Sequence, residues 1–150
     1  MNIKEILDEK LYYFSLYEME TQKLYDDNIY ESERHMEKRQ RYAARIDELD
    51  VELKNETIFD EDLAKALLMS VDRDSLTEEY QVYFDMALKI KSYVRRIYEL
   101  NDAIKIKMRD EMSEITFQIK EENKSSDAAY SKYAKASGTP DNKYSRTKTV

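Results

Sequence analysis

Apolar and polar positions alternate with the period of an α-helix along most of the chain. In the first segment, from Asn2 to about Glu56, an apolar stripe steps by four and three residues and changes phase near residues 26–33. This segment is predicted to be one long helix with a bend or stutter at the phase change. The stripe comprises Leu7, Leu11, Phe14, Glu18, Thr21 and Tyr25, followed by Ile29, Met36, Ala43, Ile46, Leu49 and Leu53.

Two further helices are predicted after this segment. A short one of two or three turns should begin at Phe59–Asp62, where acidic residues suit the positive end of a helix dipole, and end near Asp72–Asp74. Ser75–Glu78 has the pattern of a capping box and predicts the start of the third helix. This helix repeats its apolar positions every seven residues over five heptads, which is typical of long packed helices. One heptad position holds Tyr80, Ala87, Val94, Asn101, Met108 and Ile115, and the other holds Tyr83, Ile90, Ile97 and Ile104.

The heptad pattern changes after Ile104. The second position becomes Glu111 and Gln118, and the apolar residues move to Met112 and Ile119 on the neighbouring edge. We interpret this shift as a change of packing partner along the helix.

These patterns predict an all-α protein. The expected fold is an elongated antiparallel helical hairpin, or a small bundle of two long helices with a short connecting helix. Glycine and proline, the strongest breakers of helices, occur only once each, at Gly138 and Pro140. We expect a helical domain over residues 1–124 and a flexible polar C-terminal tail over residues 125–150, of which the first ten residues could extend the helix.

Composition argues against several classes of function. The chain has no cysteine, so it offers neither a disulfide framework nor a thiol nucleophile. Its net charge of -7 disfavours a nucleic-acid partner, because phosphate contacts need a concentrated basic surface. No apolar run approaches the roughly 18 residues of a membrane span, and the N-terminus is charged too early for a secretory signal. We therefore expect a cytoplasmic protein with no nucleic-acid or membrane partner.

Catalytic chemistry has few candidate residues. His35 is the single histidine, and Glu31 lies one helical turn before it, so the pair predicts a surface ion pair rather than a metal site. Glycine-rich phosphate-binding turns do not occur before Gly138. We expect no catalytic residue, no metal and no cofactor, and hence a protein that is not an enzyme.

What remains is the chemistry of the surface, with 13 tyrosines and seven methionines, which are side chains suited to adaptable protein contacts. Two interpretations stay open. The tyrosines either form a thick stripe within the hairpin or leave a second stripe open for a partner helix. Asn101, inside the apolar seam, either sets the register of the fold or fixes the axial position of a bound helix.

The sequence resembles a known family in two regions. Met36–Asp50, with the sequence MEKRQRYAARIDELD, is similar to the "kRQ…idkIdeLD" stretch of short flagellar export chaperones of the FlgN and FliT type. Glu99–Asn101 and the stretch from Ile119 to Tyr130 resemble the second long helix and tail of those proteins. At the turn before the first stretch, this chain has Asp26–Asn28 where the family usually has Gly-Asp.

The resemblance implies a small cytoplasmic chaperone that binds the C-terminal helix of a flagellar hook-associated or filament-cap protein and prevents its premature assembly. In the family the partner surface lies toward the C-terminal part. The alternative is a structural coiled-coil or adaptor protein without an export client, and a homodimer is compatible with either function. The candidate partner-binding residues are Asn101, Met108, Met112, Ile115, Ile119, Tyr130 and Tyr133.

Overall fold

The computed structural model describes the backbone of residues 1–136 and the side chains of residues 1–132. Over this range the protein is all-α, as predicted, with four α-helices and no strand. The helices are α1 (Ile3–Asp26), α2 (Ser32–Thr57), α3 (Glu61–Leu68) and α4 (Glu78–Ala136), and 3₁₀ turns span Ile29–Glu31 and Arg73–Ser75. The chain divides into two units, Met1–Ile106 and a second that begins at Lys107. Residue 124, the domain limit predicted from the sequence, lies inside α4.

The first segment is two helices rather than one bent helix. Along the contact between α1 and α2, residue numbers fall in one helix as they rise in the other. Tyr13 contacts Tyr42, and the Arg45 guanidinium donates to Glu9 at 3.0 Å. Lys10 forms an ion pair with Asp50 at 2.5 Å. The two helices therefore form an antiparallel hairpin.

The reversal between α1 and α2 follows from the residues at the phase change. Asp27 and Asn28 are both extended, and the Asn28 side chain accepts a hydrogen bond from the Tyr30 backbone N–H at 3.0 Å. Short acidic and amide side chains compete in this way with helical backbone bonds. Acidic residues at the carboxyl end of α1 also destabilise further helix, because that end of the helix dipole is negative. A complete turn, rather than the expected bend, is the result.

His35 holds this turn closed. Its side chain is 2% exposed, its Nδ1 contacts the carboxylate of Glu20 and its Nε2 lies 2.5 Å from Asp27 Oδ2. Glu20 is 1% exposed, so the contact links the end of α1 to the start of α2 inside the structure. The predicted surface pair of Glu31 with His35 is wrong, because Glu31 instead lies 3.4 Å from Arg34. The hairpin turns the His35 face of α2 inward, toward Glu20.

The amino-terminal ends of α3 and α4 are both capped by side chains. Asp60 accepts from the Leu63 backbone N–H at 3.0 Å and also from the Tyr80 hydroxyl, which joins α3 to α4. That carboxylate raises the pKa of Tyr80 to about 12. The predicted capping box at Ser75 is wrong: α4 begins at Glu78, and the Thr77 hydroxyl accepts from the Tyr80 backbone N–H at 3.3 Å. Ser75 belongs to the preceding 3₁₀ turn.

The first unit is a small bundle with one apolar cluster at its centre. Leu7, Leu63, Tyr83 and Met86 bring α1, α3 and α4 together, and Leu53 of α2 packs against them. Glu18 and Arg96, 2.6 Å apart, lie further along both helices, so α1 and α4 run parallel. The Arg39–Asn101 bond together with Leu53 shows that α2 runs antiparallel to α4. The antiparallel partner predicted for the third helix is thus the second half of the first segment.

Candidate protein-binding surface

An apolar stripe lies on α4 within the second unit. Met108, Met112, Ile115 and Ile119 follow one another in steps of four, three and four residues, which places them on one face of an α-helix. Met112 is 52% exposed and Ile119 is 53% exposed, while Met108 and Ile115 are half-buried. We call these four residues the α4 stripe.

The surroundings of the α4 stripe are polar and paired within the helix. Lys107 lies 3.8 Å from Glu111, at a spacing that stabilises an isolated helix slightly. Ile106 and Phe117 are exposed apolar residues on the opposite face of α4. The stripe is therefore a narrow apolar surface with charged edges, the form that a helical partner covers in coiled-coil packing.

Two C-terminal candidates remain, Tyr130 and Tyr133, and only the side chain of Tyr130 is among the described residues. Tyr130 is exposed and lies three helical turns beyond Ile119. Glu122 and Ser126 separate it from the α4 stripe, so the apolar surface is interrupted there. The side chain of Tyr133 lies outside the described residues.

Asn101 lies in a different environment from the other candidates. Its Oδ1 accepts a hydrogen bond from Arg39 Nη2 at 2.7 Å, and the same nitrogen donates to the Tyr17 hydroxyl at 2.8 Å. The Arg39 guanidinium also stacks over the Tyr17 ring at 4.7 Å. Asn101 thus joins α4 to α1 and α2 within the first unit. This contact favours the interpretation that Asn101 sets the register of the fold.

Replacing Asn101 with Ala is expected to lower the free energy of unfolding by about 1–3 kcal/mol. Arg39 Nε is already buried without a hydrogen-bond partner among the described residues. Loss of the Asn101 acceptor would therefore leave the buried guanidinium with one more unsatisfied donor group. Urea denaturation measures the change. Asp102→Ala, at the exposed neighbouring position, is the control and should stay within about 0.5 kcal/mol of the wild type. Equal stability of the two variants would contradict the structural role of Asn101.

The first unit also contains a groove that the sequence periodicity did not predict. A groove of about 330 Å³ lies between α1, α2 and α4. Tyr98 at its edge is exposed, whereas Tyr83 on the same helix is buried. The tyrosines of α4 are therefore divided between the core and the surface. The groove is lined by Phe14, Tyr17, Ala43, Ile46, Asp47, Asp50, Val94, Ile97 and Tyr98.

Within the described residues, no group of three or more His, Asp and Glu side chains is arranged to hold a metal ion. No helix in the same part of the chain contains a segment long and apolar enough to cross a bilayer.

Comparison with known proteins adds no relative: no family model matches the chain, and neither a curated protein nor a solved structure is significantly similar to it.

Proposed function

We propose that this chain is a cytoplasmic export chaperone that binds the C-terminal helix of a flagellar hook-associated or filament-cap protein and keeps it from assembling prematurely. The observation that supports a binding role most directly is the exposure of the α4 stripe. Four apolar side chains lie on one face of a formed helix, and two of them are half accessible to water. The sequence resemblance of Met36–Asp50 supports the class of client.

The mechanism is capture of an amphipathic helix along the α4 stripe. A client helix laid along the stripe removes the apolar parts of Met112 and Ile119 from water, and each fully buried side chain of this kind contributes about 1.5–3 kcal/mol. Methionine has an unbranched, flexible side chain, so Met108 and Met112 can adapt to clients of different shape. A narrow stripe of this kind gives reversible binding, because part of the gain is offset by the cost of association. A chaperone that must release its client requires reversible binding.

The charged edges of the α4 stripe set the direction of a bound helix. Lys105 and Arg109 flank its amino-terminal end, where Lys107 is paired with Glu111, and Glu122 follows its carboxyl-terminal end on the same side of the helix. A client helix with acidic residues at one end and basic residues at the other fits in one orientation only, since the reverse orientation brings like charges together.

Peptides test this proposal directly. Labelled peptides that cover the C-terminal helices of the hook-associated and filament-cap proteins from the same genome are titrated with the purified chain, and binding is followed by fluorescence anisotropy. We expect saturable one-to-one binding of at least one peptide. Its scrambled version, with the same composition but without a continuous apolar face, should not bind. The client assignment is wrong if every peptide fails to bind at the highest soluble concentration of the chain.

A further inference from the structure

A tyrosine, an arginine and a carboxylate form one of the contacts between α1 and α4. The Arg96 guanidinium lies 4.6 Å from the centre of the Tyr93 ring, and its Nε donates to Glu18 at 2.6 Å. A guanidinium suits both partners, because its flat face stacks on an aromatic ring while its edge donates to a carboxylate. In the first unit, a tyrosine of α4 and a carboxylate of a neighbouring helix thus bind one arginine together.

The groove between α1, α2 and α4 presents the same two partners without an arginine. Tyr98 of α4 and Asp47 of α2 both line this groove, and both side chains are exposed. Neither side chain has a hydrogen bond, an ion pair or a ring contact with another described residue. The second carboxylate of the groove, Asp50, is already paired with Lys10 at 2.5 Å. The groove therefore contains one unpaired carboxylate and one unstacked ring.

No basic side chain among the described residues lines this groove. On α2, the positions one helical turn from Asp47 in either direction are not basic: they hold Ala43, Ala44, Asp50 and Val51. On α4, Lys91 lines an adjacent hollow instead. A positive charge at Asp47 therefore has to come from outside this part of the chain.

The adjacent hollow indicates what surrounds that charge. It has a volume of about 560 Å³, lies along α4 and shares Val94 and Tyr98 with the groove. Leu88 adds exposed apolar surface there, and Lys91 and Arg95 line the same hollow. A segment with several basic residues would meet these like charges, and a free cation would leave Leu88 uncovered. One arginine with apolar neighbours in a protein segment fits both features.

We propose that the groove between α1, α2 and α4 binds an arginine side chain of a partner protein, with its guanidinium stacked on Tyr98 and donating to Asp47. The apolar lining of the groove covers the methylene stem of that arginine, as protein surfaces commonly do. The groove lies in the first unit and the α4 stripe in the second, so this site does not rest on the proposed function.

Capped tripeptides test this site. Acetyl-leucine-arginine-leucine-amide is titrated into the ¹⁵N-labelled chain, and the chemical shifts of the Asp47 and Tyr98 amides give its dissociation constant. The citrulline analogue has nearly the shape of arginine but no charge, and should bind at least about 10-fold more weakly. The lysine analogue has the charge but no planar group, and should bind about 3-fold more weakly. Equal binding of the three tripeptides, or no shift at about 10 mM arginine tripeptide, would overturn the proposal.

Two variants test the individual contacts. Asp47→Asn removes the charge of the carboxylate and should raise the dissociation constant of the arginine tripeptide about 10-fold, and Tyr98→Leu removes the ring and should raise it about 3-fold. Asp8→Asn and Tyr30→Leu are the matched controls, because both residues are exposed and lie outside the groove; they should leave the constant unchanged. An equal loss with Asp8→Asn would indicate a general attraction of cations to an acidic protein and would overturn the site.

Three further titrations separate the other occupants. Arginine amide and spermidine are free cations without apolar flanks, and should bind at least about 10-fold more weakly than the arginine tripeptide. Equal affinity would assign the groove to a free cation rather than to a protein. Arg146 lies outside the described residues, and Arg146→Gln should bind the tripeptide as the wild type does. Tighter binding by Arg146→Gln would mean that the chain's own C-terminal arginine occupies the groove, and would overturn the partner protein.

Discussion

Replacing His35 with Ala is expected to lower the free energy of unfolding by about 3 kcal/mol. The substitution leaves the carboxylate of Glu20 buried without the imidazole that contacts it. Removing one member of a buried ionic contact usually costs about 3–5 kcal/mol, and the half-exposed position of Asp27 places this site at the lower end of that range. Urea denaturation followed by circular dichroism measures the effect.

The stability contributed by His35 should also depend on pH. The hydrogen bond that His35 donates to Glu20, the largest cause, together with the one it donates to Asp27, holds the pKa of His35 above its ordinary value of 6.5 despite burial. A raised pKa in the folded state means that the contribution is complete below about pH 6.5 and is lost as the pH rises through the folded-state pKa. Wild-type stability should therefore fall above neutral pH, and that fall should be absent from His35→Ala.

Glu31→Ala is the matched control for the His35 experiment. Glu31 lies on the same helical face by spacing, but its carboxylate contacts exposed Arg34, so its loss should change the free energy of unfolding by less than about 0.5 kcal/mol. A large effect of Glu31→Ala, or a His35→Ala variant as stable as the wild type, would contradict the buried cluster.

The double substitution Met112→Asp and Ile119→Asp is expected to weaken binding of a client peptide at least about 100-fold. Both side chains are about half exposed, so their replacement removes little packing within the chain. A client helix, by contrast, would have to bury two unpaired carboxylates. The helical signal and the melting temperature should remain close to those of the wild type.

The opposite face of α4 supplies the control for this experiment. Ile106→Asp together with Phe117→Asp also exchanges two exposed apolar residues for carboxylates, and Phe117 is 64% exposed. This variant should bind the peptide as the wild type does. If the Ile106 and Phe117 variant loses peptide binding while the Met112 and Ile119 variant keeps it, the client binds the face of α4 opposite to the one we propose. Unfolding of the stripe variant would instead assign Met112 and Ile119 to the core.

The heptad pattern of α4 shows how far periodicity can be interpreted. A straight α-helix drifts about 20° per heptad relative to a strict seven-residue repeat, so the four heptads from Tyr83 to Glu111 displace the stripe by about 80°. The move from Glu111 to Met112 turns the position by about 100° and offsets most of this displacement. A helix with 3.6 residues per turn therefore explains the shift without a change of partner. Support for a binding surface comes from the exposure of Met112 and Ile119, which periodicity does not give.

The helix break at Asp27 and Asn28 illustrates a second limit of sequence reasoning. Both residues are short and polar, which indicates a weak point in a helix but does not set the direction of the chain after it. The full reversal depends on contacts between residues distant in sequence, such as Glu20 with His35 and Glu9 with Arg45. The same contacts turn His35 inward, where the sequence alone suggested an exposed pair with Glu31.

The sequence by itself determined the all-α class and an apolar stripe along each long helix, because helical period and the scarcity of glycine and proline act locally. It did not determine which residues of each stripe are buried, since Tyr25, Met36 and Val94 are exposed. Only the tertiary structure decided that α1 and α2 are separate antiparallel helices, that Asn101 bonds to Arg39, and that Met112 and Ile119 stay exposed. These features depend on which helices meet in space, and similar apolar periods allow more than one pairing.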